Sequence, residues 1–135
     1  MRKLVILMAA LVLFGAGCGS DTKTATTTGS SVLPAGTADH GTAKAKDGME
    51  VELDNFYFGP NVIEATPGQS FKVELKNEGS APHTFTIDSL GVDVTVAPGQ
   101  TGEATVTAPS AAGTVQFYCR FHKSSKNMQG ALVVA

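Results

Sequence analysis

From residue 47 to the C-terminus, apolar and polar positions alternate in short runs. Residues 49–53 read Met-Glu-Val-Glu-Leu, and residues 70–76 place Phe71, Val73 and Leu75 on one side with Lys72, Glu74 and Lys76 on the other. Phe85 and Ile87, then Val92, Val94 and Val96, then Val115, Phe117 and Cys119 repeat the pattern. A period of two sends successive side chains to opposite faces, which is the signature of a half-buried strand. Turn residues punctuate the runs at Gly59-Pro60, Thr66-Pro67-Gly68, Ala97-Pro98-Gly99 and Pro109. No segment sustains a helical period. The expectation for residues 47–135 is an all-β domain, a Greek-key β-sandwich or barrel of about seven or eight strands.

The first 46 residues follow other rules. Met1-Arg2-Lys3 is basic, and residues 4–14 are an unbroken apolar run of eleven. A membrane-spanning helix needs about 20 such residues, so the run is too short to be one. It fits the core of an export signal, residues 1–17, closing on Gly15, Ala16 and Gly17. Cys18 follows directly. Small residues before a Cys at this place resemble a bacterial lipobox, although the usual Leu three residues before the Cys is Gly15. The resemblance implies that Cys18 is lipidated and leads the mature chain. An unpaired Cys is otherwise a liability in an exported protein. Residues 18–46 are rich in Thr, Ser, Ala and Gly, without apolar period. They are expected to form a disordered tether with a reach of about 30 Å. His40 lies inside it and is assigned no role.

Composition narrows the function. Hydrophobic residues make up 42% and charged residues 16%, which is ordinary for a globular domain. The net charge of −2 gives no reason to expect nucleic-acid binding. Two cysteines exclude a disulfide-dense scaffold and a four-Cys zinc or iron–sulfur site. Haem attachment is excluded because Cys-x-x-Cys-His is absent.

The chemistry gathers near the C-terminus. Cys119, His122 and Met128 lie within ten residues, in the loop before the last strand, and His83 opens an earlier strand. Alone, each has a bland explanation, since a single Cys or Met is usually packing. Together, one thiolate, two imidazoles and a thioether are the donor set of a blue copper site. A Cys–His nucleophile is the rival chemistry, but both residues share one tight loop and no third orienting group is visible. A His₂Cys zinc site is the second rival, against which the thioether argues.

With these residues the sequence resembles the cupredoxin family, which includes plastocyanin, azurin and pseudoazurin. The resemblance covers residues 49–135. It rests on Cys119-x-x-His122, on Tyr118 before the Cys, and on Met128-Gln129-Gly130 leading into a final apolar strand. It implies one copper per chain, with His83, Cys119 and His122 as equatorial ligands and Met128 as the axial one. Two departures stand out. Five residues separate His122 from Met128, where plastocyanin has four, and this leaves Gln129 as an alternative axial ligand. Thr84 follows the first His where plastocyanin and azurin have Asn, which puts the usual link between the ligand loops in question. Asn77 is read as a turn residue. A two-Cys loop, as in a dinuclear copper centre, is absent.

Charge adds one expectation. Residues 47–135 carry ten acids and five bases, net −5, yet Arg120, Lys123 and Lys126 all fall in the ligand loop. This predicts a locally positive site-bearing end that would serve as a docking surface for an acidic partner. The whole reads as an exported, monomeric, lipid-anchored protein on the outer face of the cytoplasmic membrane or in the periplasm. It is expected to be a one-electron carrier between redox partner proteins, not an enzyme. The alternatives are a copper- or iron-handling protein for storage, delivery or uptake, and an adhesive β-sandwich.

Overall fold

The computed structural model describes residues 32–135. The proposed export signal and Cys18 lie outside the described residues.

Among the described residues ten strands form two sheets. They are β1 (Thr42–Lys44), β2 (Met49–Asp54), β3 (Tyr57–Gly59), β4 (Val62–Ala65), β5 (Ser70–Asn77), β6 (His83–Ile87), β7 (Val92–Val96), β8 (Thr101–Thr107), β9 (Gly113–Tyr118) and β10 (Gln129–Val134). One sheet runs β1-β4-β10-β9-β6-β7, and the other β3-β2-β5-β8. A 3₁₀ turn at Asp88–Leu90 and a single-turn helix α1 (Lys123–Lys126) are the only helical pieces among the described residues. The all-β architecture agrees with the alternation pattern. The count exceeds seven or eight because β1 lies upstream of the expected domain and the short β3 pairs antiparallel with β2.

Alternation explains the packing. In β5 the odd positions Phe71, Val73 and Leu75 are buried and the intervening charges face solvent. Phe58, Phe85 and Phe117 meet at the centre with ring centroids 4.9–6.0 Å apart. The two pairs of Phe58 are edge-on and Phe85–Phe117 is tilted; aromatic pairs of this kind add about 0.5–1.5 kcal/mol each beyond area burial. Gly130 is demanded by this cluster, since a Cβ there would strike the Phe117 ring and the Asn61 carbonyl.

The expected tether boundary at Lys46 is corrected. Residues 32–46 run along the domain, and β1 pairs parallel with β4. Buried Asn61 fastens the segment at two points. Its Nδ2 donates to the Ala38 carbonyl at 2.7 Å, and its Oδ1 accepts the His40 N–H at 2.8 Å. Leu33 packs with Val62 and Ala131. His40 stacks on Tyr57 with centroids 4.2 Å apart. Backbone pairing, one buried amide and a few isolated apolar contacts hold this edge, so it carries no apolar period.

Candidate metal centre

The site sits where β6 begins and β9 ends. His83 opens β6, a strand buried along its whole length. Cys119 follows β9 and is fully buried. His122 lies three residues on, before α1. The loop is closed on itself: the Cys119 N–H donates to the Met128 carbonyl at 3.1 Å, and the Lys123 N–H to the Cys119 carbonyl at 2.9 Å. The five residues between His122 and Met128 are taken up by α1 and by Asn127, whose φ of 51° ends the turn.

This folding brings three of the four expected donors together. Cys119 Sγ stands 3.4 Å from His122 Nδ1 and 3.9 Å from His83 Nδ1, and all three donor atoms lie within 4.8 Å of one another. Both imidazoles present Nδ1 to the sulfur. Burial lowers the His83 pKa to about 4, helped by neighbouring His122 and opposed by Asp54. Burial, then the Lys126 charge, lowers His122 as well. Both rings are therefore neutral at pH 7, the form in which imidazole ligates. A soft sulfur beside two imidazoles is a donor set that fits copper.

Met128 is fully buried in the same core as Cys119. Gln129, the alternative axial residue, is directed elsewhere: its Nε2 donates to Thr37 Oγ1 at 3.5 Å, against the N-terminal segment.

The link between ligand loops, questioned because Thr84 replaces Asn, is present in another form. The Thr84 N–H points at Cys119 Sγ at 3.4 Å, and Thr84 Oγ1 accepts the Arg120 N–H at 2.8 Å. Asn77 is more than a turn residue. Its buried amide donates to the Ala81 and Val96 carbonyls, and its Oδ1 accepts the Gly79 N–H, which braces the loop leading to His83.

Two contributors were not foreseen. Asn55 Oδ1 lies 3.2 Å from His83 Nε2. The Phe56 ring lies 4.6 Å from the His122 ring and edge-on to His83 at 6.2 Å. Both come from the β2–β3 turn, where Phe56 reads only as the start of an apolar triplet.

The basic loop divides in two. Arg120 Nε donates to Asp93 at 2.9 Å, so its charge is offset. Lys123 lies over the Tyr118 ring and Lys126 over the Phe56 ring. Among the described residues neither lysine has a carboxylate partner. Phe121, beside His122, is 49% exposed.

The structure is similar to auracyanin from Roseiflexus castenholzii (TM-score 0.55, 20% identity, 67% of this chain and 98% of that one). It is similar to auracyanin A, a blue copper protein from Chloroflexus aurantiacus (0.52, 20%, 70% and 100%). It is also similar to the periplasmic domain of cytochrome oxidase subunit II from Bradyrhizobium japonicum (0.56, 16%, 69% and 86%). At these identities the likeness concerns the fold. A search of curated protein sequences finds no match. The profile of the cupredoxin-like domain matches residues 5–134. Sequence profile and fold thus agree over the residues that carry the donor cluster, and the chain belongs to the cupredoxin-like domain family.

Proposed function

We propose that this chain is an exported type 1 copper protein that carries one electron at a time between extracytoplasmic redox partners and transforms no substrate. The observation that supports this most is the convergence of Cys119 Sγ with His83 Nδ1 and His122 Nδ1 on loops already braced by Thr84 and Asn77. Copper bound there, one ion per chain, supplies a Cu(II)/Cu(I) couple. His83, Cys119 and His122 would hold it, and Met128 would serve as a weak fourth donor. The braced loops keep the donors in place whichever charge the site carries, which keeps reorganisation small. Buried Cys119 and His83 exclude water, while half-buried His122 reaches the surface next to Phe121.

That surface is the face on which a redox partner docks. Lys123 and Lys126 steer an acidic partner towards it, and Arg120 contributes less because Asp93 neutralises it. Lipid on Cys18 anchors the chain to the outer face of the membrane. Cys18→Ala should then release it from the membrane fraction.

The metal-handling alternative is separated by repeated reduction and reoxidation in the presence of a soluble Cu(I) chelator. A carrier retains its copper and its visible spectrum over many cycles. A delivery protein gives the copper up on the first reduction.

A further inference from the structure

We propose that Asn55 is the positioning residue that fixes the ring orientation and tautomer of His83, with Gly79 and Ser80 holding its carboxamide in place. The inference rests on the copper reading for its consequence, though not for its first test.

His83 is fully buried, so both ring nitrogens need partners inside the protein. Nδ1 faces Cys119 Sγ. Nε2 faces the Asn55 side chain, at 3.2 Å from Oδ1. A carbonyl oxygen can only accept. It therefore selects the tautomer with hydrogen on Nε2 and leaves the Nδ1 lone pair free on the side of the sulfur. The opposite tautomer would put a hydrogen where the metal must sit.

Two hydrogen bonds and the space left by one glycine keep Asn55 in this pose. Its Nδ2 donates to Ser80 Oγ at 2.7 Å, which places the oxygen end of the amide on the histidine. Its backbone N–H donates to Asp54 Oδ1 at 2.7 Å and fixes the turn. Gly79 leaves the necessary space: a Cβ there would lie 2.5 Å from Asn55 Oδ1 and 3.0 Å from His83 Nε2. The Gly79 backbone is not in the left-handed region, so room is what glycine provides here. The acceptor reaches His83 from a turn 28 residues away, on the other sheet. It couples the β2–β3 turn to the site. Because it is neutral, it orients the imidazole without the extra donor strength that a carboxylate would lend.

The test begins with the metal-free full chain, using long-range ¹H–¹⁵N correlation of the histidine rings. The wild type should show His83 as the Nε2–H tautomer. Asn55→Ala and Gly79→Ala should each lose the single tautomer and weaken Cu(II) binding about 10- to 100-fold. Asn55→Asp should restore the Nε2–H tautomer and lower the reduction potential of the copper-loaded protein below wild type. An Nδ1–H wild type, or a folded Asn55→Ala chain with unchanged tautomer and affinity, overturns the proposal. Should Asn55→Ala not fold, Ser80→Ala at an exposed position decides: mixed tautomers support the latch and a single unchanged one refutes it. A wild type that binds no copper defeats the functional reading alone, because the ring tautomers still decide the role of Asn55.

Discussion

The Thr84 hydroxyl and the Arg120 main chain join the two halves of the site. Thr84 Oγ1 accepts the Arg120 N–H at 2.8 Å and passes its own hydrogen to Thr86 Oγ1 at 3.0 Å. Thr86 donates to Asp93 at 2.8 Å, and Asp93 receives the Arg120 side chain at 2.9 Å. The circuit begins and ends on the residue after Cys119. It ties the strand that carries His83 to the loop that carries the other donors.

Thr84→Val keeps the shape and removes the hydroxyl. It leaves the Arg120 N–H without its acceptor and breaks the circuit, at a cost of about 1–3 kcal/mol. Urea unfolding of the metal-free chain should show that loss. Serine at the same position, which keeps the hydroxyl, should recover most of it.

Met128→Leu should leave copper bound and raise the reduction potential, because a weak donor to Cu(II) is lost. Gln129→Leu should leave the potential unchanged, since its amide faces Thr37. Voltammetry of the two variants checks this. A potential that follows Gln129 instead would place that side chain on the metal.

The metal-free fold should weaken as pH falls from about 6.5 to about 4. His83 has a lowered pKa in the folded chain, from 6.5 to about 4, so in this window the unfolded chain binds the extra proton. Stability is full above the unfolded value and is lost as pH drops through the window. The lowered pKa of His122 acts in the same direction. Bound copper would hold both nitrogens, so the loaded protein should keep its stability to lower pH. Parallel losses in the two forms would contradict the assignment.

Lys123→Glu with Lys126→Glu should slow electron exchange with an acidic partner and flatten its salt dependence, with the copper spectrum unchanged. Exposed charges act over about 8 Å at physiological salt, which affects encounter more than affinity for the metal. Arg120→Gln should change the rate less, because Asp93 already offsets that charge. Stopped-flow kinetics at two ionic strengths measures the difference.

The parts of this molecule that local pattern dictates were legible in its sequence. The alternation of Phe71, Val73 and Leu75 announced β5 and its buried face. Cys119 and His122 share one turn, so their spacing alone made them neighbours. What escaped depends on contacts between distant residues. Edge strand β1 is held by backbone bonds and Asn61, neither of which leaves an apolar pattern. Asn55 reaches His83 across the gap between two sheets, and nothing in residues 54–57 marks it as a site turn. The charge of Arg120 read as free because Asp93 lies 27 residues away.

The most direct test of the copper assignment is the visible spectrum of the chain loaded with Cu(II), beside that of Cys119→Ser. The wild type should bind one copper and turn intensely blue or green through charge transfer from the Cys119 sulfur. Cys119→Ser should lose that band while His83 and His122 remain in place. A strong visible band that survives in Cys119→Ser, or a wild type that stays colourless with copper bound, would contradict the account.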